Sequence, residues 1–378
     1  MIKQIFFISL VSLGIRLNAQ EINLQDKRVK INNKQVLSDP ELSLPKEVYI
    51  VEGNRLEIFK HSIINAINPE NYFLNAKVTK GIAKGAFYDR VFIYDCKAGD
   101  SDMELEFTLI NDQGFIIDKK QTLIRPVTKA KSPSSQFNIL LIGDSFSANI
   151  TYPEELARRL VGSEGIPKAD KLKNINFIGS VTNGIDVNRE AYGGKSWNFF
   201  LGEESPFYNV STGQIDFENY TSKNGYSSID AVVIILGTNS ISNNETVSLF
   251  LNKLIAFNPK IKGLVTGKIL ATPLGGGGMV GISNRQTFYG SFPSTFIYNR
   301  RMENLIQTSF SSNFKFVDIL PSLDIMHNMQ FSNVAANFRN QKTLVKQGSN
   351  NVHPASSAYL QIADIIYNAL HYYVLDKK

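Results

Sequence analysis

Four places in the chain carry residue types that could together perform acyl chemistry. Ser145 stands in Gly143-Asp144-Ser145-Phe146-Ser147, directly after the apolar run 137–142. In an open parallel sheet, ligands bind beyond the carboxyl ends of the strands, which is where a nucleophile would be presented. A lone Gly-Asp-Ser is also an ordinary turn, so the reading needs the other three places. Asn239, in Gly237-Thr238-Asn239, follows a second apolar run at 231–236. Its amide could donate to a developing oxyanion, or it could cap a helix. In Tyr192-Gly193-Gly194-Lys195-Ser196-Trp197 a glycine lets a backbone amide approach a substrate oxygen closely. His353, in Asn350-Asn351-Val352-His353-Pro354, precedes a proline, which biases it toward an extended loop conformation. Of the other three histidines, His61 falls in the β-rich part, His371 reads as solvated, and His327 has no assigned role.

The elements that must position these residues divide the chain into two grammars. Between about 20 and 129 the pattern is short alternating runs at 48–51, 56–59, 91–94, 103–110 and 115–117, with Asn-Asp-Gln-Gly at 111–114 as a hairpin turn. Period-two alternation broken by turn signals predicts an antiparallel β-sandwich over 20–129. Residues 130–136 read as a linker. From 137 to 378, apolar strands at 137–142, 175–178, 231–236, 263–270 and 314–319 alternate with helices at 153–160, 245–257, 294–310 and 356–374, predicting an α/β domain with a parallel sheet. Ser356 is a candidate N-cap for the last helix. The tract Gly275-Gly-Gly-Gly278 reads as a flexible loop.

Hydrophobic residues make up 43% of the 378 and charged residues 20%, an ordinary globular balance. The net charge of +6 is scattered, without the clustered patch a nucleic-acid partner would require. Lys3, the apolar stretch 5–15 and Leu17-Asn18-Ala19 form a signal peptide over 1–19, so the chain is expected to be secreted or periplasmic, with no membrane span thereafter. Cys96 is the single cysteine, which rules out an intramolecular disulfide; a buried structural role is expected for it.

Ser145, Gly194, Asn239 and His353 occur in an order and in contexts that resemble the SGNH (GDSL) hydrolase superfamily, over residues 137–374. The resemblance is closer to exported bacterial members with a preceding β-rich domain, where a segment like Ser205-Pro206-Phe207 through Asp216-Phe217 recurs. It implies a three-layer α/β/α flavodoxin-like fold and a serine esterase. Ser145 would be the nucleophile and His353 the general base. The amides of Ser145 and Gly194 and the Asn239 side chain would form the oxyanion hole. No metal or organic cofactor is implied.

The sequence departs from that pattern at Asn350, where the family usually carries the aspartate that supports the histidine. Three readings stay open: a relocated acid at Asp318 or Asp324, a Ser-His dyad with support from Asn350, or a weak or dead site. The expected substrate is an O-acetylated glycan. Trp197, Phe199, Phe200 and Tyr208 could stack on sugar or could equally be core. A lipid or aryl esterase is the alternative within the same class, and a non-catalytic glycan-binding protein on a decayed SGNH fold the alternative outside it. The oligomeric state is left open.

Overall fold

The computed structural model describes residues 40–66, 68–182, 187–239, 242–269, 284–350 and 352–375, with backbone alone for 284–294, plus two short strands at Lys30–Ile31 and Lys34–Gln35. The expected signal peptide at 1–19 and the glycine tract 275–278 lie outside the described residues.

The N-terminal part is built of β1 (Glu47–Val51), β2 (Arg55–Phe59), β3 (Phe73–Lys80), β4 (Ala86–Tyr88), β5 (Val91–Asp95), β6 (Met103–Ile110) and β7 (Ile116–Val127). They form two sheets, ordered β1-β7-β6-β3 and β2-β5-β4. Inward residues of both sheets, among them Ile50, Leu105 and Phe107 from one and Leu56, Ile58 and Phe92 from the other, share one core, as alternation at period two requires. The β6–β7 turn is pinned by Asn111, whose side-chain oxygen accepts from the Gln113 and Phe115 amides. One pairing departs from the expected antiparallel pattern: β1 runs parallel to β7. β3 carries too many exposed polar residues, and β4 is too short at three residues, to be read as strands from sequence. Cys96 is buried in this core.

The second part has β8 (Phe137–Gly143), β9 (Ile175–Ile178), β10 (Glu190–Ala191), β11 (Ala231–Ile235), β12 (Lys262–Thr266) and β13 (Phe314–Val317). Its main path, β9-β8-β11-β12-β13, is parallel throughout, and β10 pairs with the last residues of β8. Numbered within this part, the order is two-one-three-four-five, the flavodoxin-like order, whose switch point lies beside the first strand. Every residue of β8 is buried, as a strand covered on both faces should be. Its neighbours in sequence go to opposite cores. Ile139 and Leu141 pack with α1 (Thr151–Val161) and α5 (Ser356–Leu370); Leu140 and Ile142 pack with α2 (Phe217–Asn224), α3 (Asn244–Phe257) and α4 (Asn284–Leu305). The result is a helix layer on each side of the sheet. The N-cap of α5 is Ala355 and makes no side-chain hydrogen bond; Ser356 is the first helical residue. Among the described residues no helix is long and apolar enough to cross a membrane.

The two parts are bound to each other through α5, the turn His371–Leu375 that continues it, and residues 323–324. Tyr49 stacks on Tyr372 with ring centroids 4.4 Å apart, and the Val51 amide donates to Asn368 at 3.0 Å. Ser62 donates to the Leu323 carbonyl at 2.6 Å, and Arg90 pairs with Asp324.

His371, expected at the surface, is fully buried. Its Nδ1 accepts from the Ala130 amide at 3.0 Å, leaving Nε2 to donate to Asp170 at 2.9 Å. Lys129 and Tyr367 also engage that carboxylate, so the end of α5 and the segment entering β8 are clamped together. Burial alone would raise the Asp170 carboxyl, but the hydrogen bonds from His371, Lys129 and Tyr367 outweigh it and bring it down to about 2. A carboxyl lowered on folding contributes stability above its unfolded value of 3.8, and that contribution is lost as pH falls toward 2. The Tm advantage of the wild type over Asp170→Asn is therefore expected to shrink steadily in melts between about pH 5 and pH 2. A gap that stays constant over this range would contradict the clamp.

Candidate active site

The carboxyl end of β8 leads straight into Asp144 and the one-turn helix Ser145–Ala148. Asp144 caps that turn, its side chain accepting from the Phe146 amide at 2.9 Å. The turn can lie this close to the strand because residue 143 is a glycine. A Cβ there would stand 2.0 Å from the Ser147 hydroxyl and 3.1 Å from the Ile235 carbonyl. Ser147 is buried and hydrogen-bonded to Tyr152, while Ser145 is half-buried at the rim.

The glycine block reaches the same rim through β10. Ala191 pairs with Gly143, and the Tyr192 amide donates to the Gly143 carbonyl at 3.0 Å. A turn from Tyr192 to Lys195 follows, in which Gly194 has φ +74° and is exposed, a conformation that favours glycine. Glu190 anchors this block from below: it is buried and accepts from Ser180, Tyr192 and Tyr220. Beyond β11, Gly237 takes φ +122° against the Tyr298 hydroxyl, and Asn239 follows. The Asn239 amide donates to Asp144 at 3.3 Å and to the Lys195 carbonyl at 3.0 Å. It thus ties together the residue before Ser145 and the residue after Gly194.

The histidine loop arrives from the other side. The Ser349 amide donates to the Gln330 carbonyl, the Ala355 amide to the Asn328 carbonyl, and Met329 bridges to Pro354. The His353 ring lies against Phe146, centroids 5.6 Å apart and tilted by 40°, and Phe146 is itself buried against Tyr359. His353 thus lies against the ring of the residue that follows Ser145 in the chain. Among the described residues neither side chain makes a hydrogen bond within the chain. Hydrogen bonds between catalytic groups often tighten only when substrate is bound.

Asn350 accepts from the amides of Val352 at 2.9 Å and His353 at 2.8 Å. It orders the loop backbone and leaves the imidazole to other contacts. Asp318 and Asp324, the two candidates for a relocated acid, make their hydrogen bonds with other groups. The Asp318 carboxylate is held by Asn299 at 3.0 Å and the Leu320 amide at 3.1 Å, in a crevice it shares with Glu47, Glu57 and Asp364, and burial pushes it up to about 7. Asp324 is taken by Arg90 and by the His327 ring at 3.0 Å. Asp318 is thus engaged by α4 and by its own turn, and Asp324 by Arg90 of the N-terminal part and by its neighbour His327. His327 thereby gains a partner that its sequence context did not announce.

Asp144 was not singled out from sequence. Burial pushes its carboxyl up to about 6 against hydrogen bonds from the Phe146 and Thr238 amides. Its place next to Ser145 in the motif was the available signal. Trp197 and Phe200 are fully buried in the second core, which decides between the two roles left open for them. Phe199 is half-buried beneath the Lys195 ammonium at 4.5 Å.

No family model matches the chain, and no curated protein matches it significantly. Among solved structures, a carbohydrate esterase family 3 protein from Talaromyces cellulolyticus is 17% identical with a TM-score of 0.40, covering 62% of this chain and 96% of its own. A possible lipase from Chitinophaga pinensis is 12% identical with a TM-score of 0.34, covering 63% and 98%. A phospholipase A1 from Streptomyces albidoflavus is 12% identical with a TM-score of 0.31, covering 62% and 97%. The strand order and the two helix layers are those the sequence resemblance implied: the second part of the chain has a three-layer α/β/α fold of the flavodoxin-like order.

Proposed function

We propose that the chain is a serine esterase working through a Ser145–His353 dyad on O-acyl, principally O-acetyl, groups of a carbohydrate. The convergence of four sequence-distant blocks around Asp144 and Phe146 carries this reading. The Ser145 hydroxyl attacks the acyl carbon while His353 takes its proton. The resulting oxyanion is held by the Ser145 and Gly194 amides and the Asn239 side chain. Of the two contacts that Asn239 makes at rest, the 3.3 Å one to Asp144 is the weaker, and an oxyanion would replace it. Collapse expels the alcohol, protonated by His353, and water then releases the acid from Ser145 by the same route in reverse.

In place of a carboxylate, the imidazolium formed during the reaction has the Phe146 ring beside it, and an aromatic face within about 6 Å favours a cation. Lys195, paired with Glu204 and set over the Phe199 ring beside Gly194, gives the rim a polar and aromatic edge, which suits a hydroxylated substrate better than an alkyl chain.

Incubation with an alkyl fluorophosphonate followed by intact-mass analysis and peptide mapping is expected to give a single adduct, on Ser145, that is absent in Ser145→Ala. A wild-type chain that stays unlabelled would overturn the esterase reading and favour glycan binding without hydrolysis.

A further inference from the structure

The two strands Phe331–Asn337 and Asn340–Gly348 form an antiparallel hairpin that the proposed reaction does not use. It springs from the segment that holds His353. The Gln330 carbonyl receives the Ser349 amide at the foot of the hairpin, and Met329 bridges to Pro354. At the strand rise of roughly 3.4 Å per residue it extends about 25 Å from that foot. Most of its residues are exposed. Its tip is closed by Asn337, whose side chain accepts from the Arg339 and Asn340 amides, and Phe338 at the tip is 82% exposed.

Its charge is one-sided. From residue 325 to residue 363 the sequence contains no aspartate or glutamate, and the hairpin carries Arg339, Lys342 and Lys346. Among the described residues none of these cations has a carboxylate partner. Arg339 and Lys346 lie instead over Phe338 and Phe331, with Lys346 at 4.0 Å from the ring centroid. A cation over an aromatic ring keeps its charge and leaves its outward side free for an anion. The exposed apolar residues are not contiguous: Leu344 and Val345 are adjacent and so point to opposite faces, and Phe338 stands alone at the tip. Docking on a bilayer needs a continuous apolar face, which this hairpin lacks. Beside Lys346 it offers amide side chains, Asn333 across the ladder and Gln347 next along the strand, which match hydroxyl and carboxylate groups.

We infer that this hairpin is a binding arm for a polysaccharide that bears carboxylate groups along its chain, held next to the histidine loop. The inference deepens the esterase reading by naming its substrate class, but binding by the arm does not require turnover.

The test is affinity electrophoresis of folded full-length protein in gels containing polygalacturonate or neutral xylan, on wild type and on Ser145→Ala. Both are expected to be retarded by polygalacturonate well beyond xylan, with the retardation falling as salt rises. The triple variant Arg339→Gln, Lys342→Gln, Lys346→Gln should bind at least about 10-fold more weakly, since three phased charges are lost. A control that removes three exposed lysines elsewhere, Lys77→Gln, Lys168→Gln, Lys260→Gln, should keep most of the binding. Equal loss in both triple variants would show a mere net-charge effect and overturn the inference. Wild-type binding to phosphatidylglycerol vesicles but not to polygalacturonate would also overturn it, as would sedimentation showing a dimer that the arm variant dissolves. A failure of the esterase reading shows up separately, as absent labelling of Ser145 with polyanion binding intact.

Discussion

Ser145→Ala is expected to lower kcat/KM for 4-nitrophenyl acetate and for acetylated xylan about 10⁴-fold, because the attacking oxygen is removed and only binding and oxyanion donors remain. His353→Ala should cost a comparable factor. The double variant should be no slower than the worse single one, since nucleophile and base act as a unit. Asn239→Ala should cost about 10²-fold or more as the loss of one oxyanion donor, and it also unties Asp144 from Lys195. Steady-state kinetics on the purified chain decide the matter. Equal activity in wild type and Ser145→Ala would exclude Ser145 as the nucleophile.

Phe146→Ala is expected to hurt both stability and rate, through one ring. The side chain is 2% exposed and packs on Tyr359, so its removal opens a cavity worth about 3–5 kcal/mol. The same ring seats His353, whose misplacement by about 1 Å would cost on the order of 10²-fold in kcat. Phe146→Leu refills much of the volume without an aromatic face, so it should recover most of the Tm and little of the kcat. If leucine restores both, the ring is mere packing and the imidazolium is stabilised by something else.

The parts of the fold that could be read from sequence are those whose burial leaves a one-dimensional trace. β8 is an apolar run but for Asn138, and β11 is apolar throughout, because both of their faces are covered. The inward face of α5 repeats every three or four residues because one side meets the sheet. The hairpin 331–348 left no such trace, since both of its faces meet water and its turn, Asn337 to Asn340, contains no glycine. α2 is short and polar on average, and only its caps, Asp216 and Gly225, mark it. At the candidate site the residue types were legible, but their partners were not. His371 looked solvated because Asp170, which accounts for its burial, lies 201 positions away. Asp324 looked available to His353 because nothing in sequence announced Arg90, 234 positions earlier, or the local turn that brings His327 onto it.

The seat that Tyr49 and Val51 take on α5 orders events during biosynthesis. The Val51 amide and its acceptor are separated by 317 positions, so the first sheets leave the ribosome long before the helix they rest on exists. Until residues 356–372 have been made, the surfaces of Tyr49 and Val51 that rest on them are uncovered, the kind of transient apolar exposure that makes a partly made chain aggregation-prone. The loop with residue 353 directly precedes that stretch, so the cover for the first sheets and the proposed base arrive together.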